Sequence, residues 1–310
     1  MNEPVDLERL LLASSRTFAL AIPYLPEPTR SEVTLAYLLF RVADTFEDAT
    51  SWPRASRIAA LEELNRLLEE APRSEVGAAA RRWAAEVPCE QPAYRDLLAQ
   101  LPGVLDAFFA LRPPAVELIR DHTGRTAHGM AGFVARTSDD GEIRLLDAAD
   151  LKAYCYVVAG IVGELLTELF LLERPELHPA APDLRRLSRA FGEGLQLVNI
   201  LKDSESDKRN GKRYLPESLP RADVLAVARR DLTDAADYVL TLQRSGAPRG
   251  LLAFTTLPVE LAFATLDRVE AEGPGAKVRR TEVYALVDRM NRALDAGEPA
   301  IRLAVAGLST

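Results

Sequence analysis

Apolar residues recur at spacings of three and four along nearly the whole chain, and leucine and alanine fill most of these positions. Such spacing gathers them on one face of an α-helix. Alternation of apolar and polar residues, which would mark a half-buried strand, is almost absent. Prolines divide the pattern into elements. A first helix is closed by Pro23, Pro26 and Pro28, and a second covers Val33 to Asp48. Trp52-Pro53 opens a helix that reaches about Glu70, Arg81 to Glu86 is a shorter piece, and Gln91 to Leu111 ends at Pro113-Pro114. Ala115 to Arg136 leads into a polar loop, Thr137 to Gly141. The remaining helices are Asp147 to Leu172, Pro182 to Lys208, Arg221 to Arg244, Leu251 to Glu272 and Arg280 to Leu308. The pattern predicts an all-α fold. No linker separates two independent apolar patterns and no segment repeats, so residues 1–310 read as a single domain.

The polar positions break this pattern in two places. One helix ends in Asp44-Thr-Phe-Glu-Asp48 and another in Asp203-Ser-Glu-Ser-Asp207. Each pair of aspartates lies one turn apart on one helix face, where like charges cost about 0.2–0.5 kcal/mol. A single such pair is ordinary at a solvated helix end. Here each belongs to a longer polar stripe: Tyr37, Arg41, Asp44 and Asp48 on the first helix, and Gln196, Asn199, Asp203 and Asp207 on the second. A polar stripe along an otherwise apolar helix is costly unless it lines a wet or ligand-filled cavity. Magnesium accounts for both clusters, because it takes one or two carboxylates and completes its shell from phosphate oxygens. Two facing clusters can hold several such ions around a diphosphate.

Directly after the second cluster comes Lys208-Arg-Asn-Gly-Lys-Arg213-Tyr-Leu-Pro216. Asn210-Gly211 is a turn signal, and a turn there can return Lys208, Arg209, Lys212 and Arg213 to Asp203 and Asp207. The plain alternative is a solvated basic loop. The functional one is a flap whose cations neutralise a departing diphosphate. Two glycine pairs, Gly160 with Gly163 and Gly129 with Gly132, lie inside helices, where each glycine costs about 1 kcal/mol relative to alanine. They imply close backbone approach, a kink, or room for a bulky ligand.

Composition narrows the picture. The 310 residues are 48% hydrophobic, ample for a large core. A formal charge of −8 argues against a general nucleic-acid binder. Cys89 and Cys155 supply no disulfide framework, and Cys155 falls in an apolar helix as a small core residue. His122, His128 and His178 are too scattered for a zinc signature. The N-terminus lacks the basic-then-apolar pattern of a signal peptide, and no uninterrupted apolar run approaches the roughly 20 residues of a membrane span. The expectation is a cytoplasmic protein. Peripheral contact with a membrane surface stays open, since it needs only an exposed apolar patch.

Together these segments resemble the squalene/phytoene synthase family, the head-to-head branch of the trans-prenyl diphosphate synthases. The similarity runs from Ser14-Ser-Arg-Thr-Phe18 to about Arg280. It is carried by that opening, by Tyr37 to Asp48, by Tyr154 to Gly163, by Gln196 to Asp203 and by the flap ending in Tyr214-Leu-Pro216. The first two segments resemble the squalene-forming members more than the phytoene-forming ones. Phe254, four residues before Pro258, falls where those members carry a pocket aromatic, and Lys277-Val-Arg-Arg280 resembles a basic segment near their nicotinamide cofactor.

The resemblance implies a helical bundle around a central cavity. It implies that two farnesyl diphosphates bind with Mg2+, condense to presqualene diphosphate, and are reduced by NADPH to squalene. Asp44, Asp48, Asp203 and Asp207 would hold the magnesium ions. Arg16, Tyr37, Arg41, Gln196, Asn199, Lys202, Lys212, Arg213 and Phe254 would contact substrate. Tyr154 would sit on the cavity wall near the proton lost in cyclopropane formation, and Arg16, Lys277 and Arg279 would serve NADPH. There are departures. Lys202 and Lys212 stand where squalene-forming members often carry arginine, which keeps the charge but loses the bidentate fork. The second cluster also lacks the usual acidic residue just before Asp207. The product therefore stays open among squalene, presqualene diphosphate, hydroxysqualene, dehydrosqualene and phytoene. Outside the family the alternatives are a class I terpene cyclase and a non-catalytic lipid-binding descendant. The Tyr154 to Gly163 segment and the flap speak against the first, and the intact aspartates against the second.

Overall fold

The helix that carries the second acidic cluster is the axis of the molecule. It is α11 (Ala181–Arg209), 29 residues long, and Leu184, Leu187, Phe191, Leu197 and Leu201 are buried on it with four small residues, Ala181, Ser188, Gly192 and Gly194. A computed structural model describes residues 5–15, 17–69, 71–87, 91–138 and 142–301. Before α11 come α1 (Leu7–Ser14), α2 (Phe18–Ala21), α3 (Thr29–Glu47), α4 (Arg54–Leu67), α5 (Arg73–Glu86), α6 (Pro92–Ala99), α7 (Leu101–Phe109), α8 (Pro113–Ala135), α9 (Ala148–Cys155) and α10 (Ile161–Glu173). After it come α12 (Arg221–Arg244), α13 (Arg249–Glu272) and α14 (Arg280–Asp295). Helices α10, α12 and α13 pack around α11, while α3 packs on α8, α1 and α4. The all-α expectation holds.

Local chemistry sets several boundaries. At the start of α3 the Glu27 carboxylate accepts from the Ser31 N–H at 3.2 Å and from its hydroxyl at 2.7 Å, covering donors that a helix start leaves unpaired. Arg112, just before α8, donates to fully buried Glu32 at 2.6 Å and to Glu173 at 2.8 Å, tying the ends of α3, α8 and α10 together. Helix α5 begins at Arg73, well before the expected Arg81, because Pro72 starts it and Gly77 is tolerated within it. The expected Gln91–Leu111 helix divides at Gln100, where Pro102 occupies the first turn of α7. Helix α14 stops at Asp295, ahead of Gly297 at φ +69°, rather than running on to Leu308, which lies outside the described residues.

The chain also pairs two short strands, which the sequence pattern did not predict. Strand β1 (Ile143–Arg144) runs parallel to β2 (Lys212–Arg213), with Ile143 opposite Lys212 and Arg144 opposite Arg213. Two residues are too few to leave an alternating signature. The expected turn is present, with Gly211 at φ +72°, and the ladder pins the residues that follow it.

The glycines of the Tyr154–Gly163 segment bring two backbones together. Between α9 and α10 the chain makes a π-helical turn, Tyr156–Gly160, and the Thr126 hydroxyl donates to the Val157 carbonyl there at 3.0 Å. A Cβ on Gly163 would lie 2.0 Å from the Ser188 carbonyl oxygen, and one on Gly192 would lie 1.9 Å from that of Ala159. Of the second pair, Gly129 meets Val157, whereas Gly132 faces open space. Close backbone approach and a local distortion are thus both realised, on the wall of the cavity described below.

Two helical stretches, Ala148–Glu173 and Arg249–Glu272, are long and apolar enough to cross a membrane, with mean hydropathy 1.9 and 1.3. Glu164 and Glu168 interrupt the first and Glu260 and Asp267 the second, so neither is an uninterrupted apolar run. Both are partly buried in the bundle, against α8, α11, α12 and α14. Cys155 is buried with a free thiol, and Cys89 lies outside the described residues.

Gly163→Ala and Gly192→Ala should each destabilise the protein by about 2 kcal/mol or more, because a backbone and not a flexible side chain must move. Gly132→Ala should be neutral or stabilising by up to about 1 kcal/mol. Urea unfolding of the three variants measures this; a Gly163→Ala protein as stable as the parent would contradict the close crossing.

Candidate active site

The last turns of α3 and α11 bring the two acidic pairs together around a small set of cations. Arg41 lies 3.1 Å from Asp44, one turn along α3, and its guanidinium also donates to the Tyr37 hydroxyl at 3.1 Å. That hydroxyl in turn donates to the Ser14 carbonyl at 2.9 Å. The Tyr37 and Tyr94 rings lie against Arg41 at 5.5 and 5.3 Å, within the range of cation–π attraction. On α11, Lys202 sits 3.1 Å from Asp203 and donates to Asn199 at 3.3 Å. The flap crosses between the helices: the Lys212 ammonium is paired with Asp48.

The electrostatics record how close the clusters are. Burial, and then the neighbouring Asp48 charge, push Asp44 up to about 6 against the pull of Arg41 and Lys212. Burial, Asp203 and then Asp48 push Asp207 up to about 6 as well. An aspartate on α11 thus feels one on α3. Among the described residues no three His, Cys, Asp or Glu side chains converge into a protein-only metal cage. The donor set fits a cation that takes one or two carboxylates and fills its shell from phosphate and water, which is the habit of magnesium.

Behind the first cluster is a second layer. Glu47 is buried at 3% exposure, and burial followed by Asp48 and Asp44 pushes its carboxyl up to about 8. Its Oε2 accepts from the Tyr154 hydroxyl at 3.4 Å, while Oε1 has no hydrogen-bond partner. Arg57, fully buried, donates to the Glu47 backbone carbonyl. Tyr154 stacks on Tyr214 of the flap, with centroids 4.8 Å apart and planes at 23°, and meets Phe133 edge-on at 5.2 Å.

Two adjoining cavities open beside the clusters and share Phe18, Tyr37, Arg41, Leu195 and Asn199 in their walls. The larger, about 620 Å³, also meets Tyr94, Lys202 and Leu261. The smaller, about 190 Å³, runs from Asp44 and Gln196 to an apolar end formed by Phe40, Leu166 and Phe254. Tyr37, Arg41, Gln196, Asn199, Lys202 and Phe254 therefore all line a cavity, as expected. Tyr154 does not: at 3% exposure it is enclosed by Glu47, Tyr214 and Phe133, behind the first cluster and not on either cavity wall.

Other expected residues lie apart. Arg213 turns away from the aspartates to Glu142 at 2.5 Å and Glu217 at 2.8 Å, bracing the flap. Lys277 and Arg279 are exposed. Their segment touches α11, where the Gly275 N–H donates to the Lys202 carbonyl at 2.7 Å. Arg16 lies outside the described residues. Three contributors carried no role in the sequence reading. Glu47 had a signal, its place within the acidic run, three residues after Asp44. Tyr94 and Arg57 had none, because their contacts are made between helices and not along one.

A family model described as squalene/phytoene synthase matches residues 11–224. The Botryococcus squalene synthase of Botryococcus braunii is 32% identical over 198 residues, covering 64% of this chain and 38% of that protein. The squalene synthase of Nicotiana benthamiana is 29% identical over 306 residues, covering 91% of this chain and 69% of that protein. Against other curated squalene synthases the chain spans 61%, 62% and 43% of their length, about half in all. A solved complex of TcSQS with a ligand superposes with TM-score 0.73 at 23% identity, over 97% of this chain and 92% of that one, a likeness of fold.

The raised Glu47 acidity predicts a pH dependence. A carboxyl raised from 4.5 to about 8 on folding favours the native state while it is protonated. That contribution is complete below the unfolded pKa and is lost as pH rises through about 8. In metal-free buffer with chelator, the parent should lose at least about 1 kcal/mol more stability between pH 5 and 8.5 than Glu47→Gln does. Urea unfolding at the two pH values tests this; parallel losses would contradict it.

Proposed function

This chain belongs to the squalene/phytoene synthase family, and from that premise we propose that it condenses two farnesyl diphosphates head to head and reduces the product to squalene. What supports the reading most is the meeting of the acidic ends of α3 and α11 at the polar side of a two-lobed cavity whose far end is apolar. Asp44 and Asp48 on one side and Asp203 and Asp207 on the other would hold magnesium. When bound, the magnesium supplies positive charge to the leaving diphosphate, and NADPH supplies the hydride that completes squalene.

The protein's own groups do the rest. Arg41, Lys202 and Lys212 stand where a diphosphate would lie and stabilise the charge that grows on it as its C–O bond breaks. The resulting allylic cation is attacked by the double bond of the second farnesyl chain. The apolar lobe ending at Phe254 takes a prenyl chain and keeps water from that cation. Ring closure then releases a proton. We assign its removal to the Tyr154 hydroxyl, which can accept it while passing its own proton to Glu47 Oε2 when that carboxyl is ionised, a state that the positive charge of bound magnesium would favour. Because Tyr214 covers Tyr154, this step needs the flap to shift. The exposed basic residues Lys277 and Arg279, beside Lys202, suit the phosphates of NADPH; Arg16 is proposed with them from the sequence alone. Leu12, 60% exposed and on the wall of the larger cavity, suits a cytoplasmic enzyme that hands an apolar product to a membrane surface.

Purified protein incubated with farnesyl diphosphate and Mg2+ should form presqualene diphosphate without NADPH and squalene with it, as identified by mass. A C15 product would overturn the reading in favour of a cyclase. The same C30 product at the same rate without NADPH would replace it with a non-reductive family member. Asp44→Asn and Asp203→Asn should each lower turnover on the order of 100-fold or more with helical content unchanged by circular dichroism; unimpaired Mg2+-dependent turnover in either would contradict the metal assignment.

A further inference from the structure

Lys212 differs from the other cations of the site in where it comes from. Arg41 and Lys202 pair with aspartates of their own helices, at the third and the next residue. Lys212 belongs to the flap that follows α11, yet its ammonium reaches Asp48 at the end of α3. Its backbone is fixed by pairing with Ile143, and its side chain is 16% exposed. Strand β2, which carries Lys212, also packs against α11. The ammonium is therefore held across from α11 to the end of α3.

We propose that Lys212 is a built-in competitor for the metal: its ammonium holds the place between the two aspartate helices that a divalent cation takes, and gives it up when a diphosphate draws the ammonium to itself. A lone divalent ion must displace this ion pair and strand the ammonium. An ion arriving with a diphosphate need not, because the diphosphate oxygens accept the ammonium as the metal takes the carboxylates. The site is thereby selective for metal and diphosphate together, and the charged machinery assembles only around substrate. The inference rests on the reading that these aspartates bind metal for a diphosphate.

The test is equilibrium dialysis of Mn2+ against the full-length protein, alone and with inorganic diphosphate, for the parent, Lys212→Gln, Lys212→Met and Lys212→Arg. The parent should bind Mn2+ weakly alone and about tenfold or more tightly with diphosphate. Lys212→Gln and Lys212→Met should bind Mn2+ alone about tenfold more tightly than the parent and show a smaller gain from diphosphate. Lys212→Arg, which keeps the charge, should behave as the parent. Neutral variants that bind Mn2+ no more tightly than the parent, or that keep its full gain from diphosphate, would overturn the role of Lys212 alone. Failure of every protein to bind Mn2+, even with diphosphate, would instead overturn the metal reading on which it rests.

Discussion

Burial and mutual repulsion of the carboxylates at the ends of α3 and α11 form the constraint that the rest of the site answers. Burial first, and then the neighbouring carboxylate of the same helix end, push Asp44 and Asp207 up to about 6. The chain offsets this with three cations, each paired to a different aspartate: Arg41 to Asp44, Lys202 to Asp203 and Lys212 to Asp48. Such an arrangement costs stability and contributes nothing to a core. It makes sense where the negative charge is to be matched by metal and the positive charge by a polyanion. Glu47, a further acid pressed behind the first pair, is pushed up to about 8, by burial first and then by Asp48 and Asp44.

The scaffold explains why the two acidic helix ends meet. Helices α10 and α11 cross with backbone against backbone at Gly163 and Gly192, and the π-helical turn before α10 adjusts the chain to that crossing. The crossing places Val158, Gly163, Phe191 and Leu195 in the wall of the smaller cavity. Helix α3 closes the opposite wall with Val33, Tyr37, Phe40 and Asp44. Loss of side-chain volume at two glycines thus sets the width of the cavity that the charged ends overlook.

Much of this was legible in the sequence, and the reasons are periodic. Tyr37, Arg41 and Asp44 fall at helical spacing, so their common face, and hence their common cavity, follows from the helix alone. The glycines at 160 and 163 signalled close approach for the same reason. What escaped depends on long-range contact. Nothing in the spacing says that Tyr94 of α6 lies against Arg41, or that Lys212, expected beside Asp203 and Asp207, reaches across to Asp48. Arg213 has two acidic neighbours, Glu142 and Glu217, that hold it away from the aspartates, and only one of them is near it in sequence. Tyr154 was expected on the cavity wall from the family resemblance alone; the flap tyrosine, Tyr214, covers it.

The central claim is that the two acidic helix ends act as one metal–diphosphate site. Crystals grown with Mn2+ and a non-ionising thio analogue of farnesyl diphosphate test it most directly, through the anomalous scattering of manganese. The account predicts manganese peaks in contact with Asp44 or Asp48 on one side and with Asp203 or Asp207 on the other. The analogue's diphosphate should lie between them, and its prenyl chain should run toward Phe254 or along the larger cavity. Manganese bound elsewhere, or a diphosphate seated away from both helix ends, would contradict it.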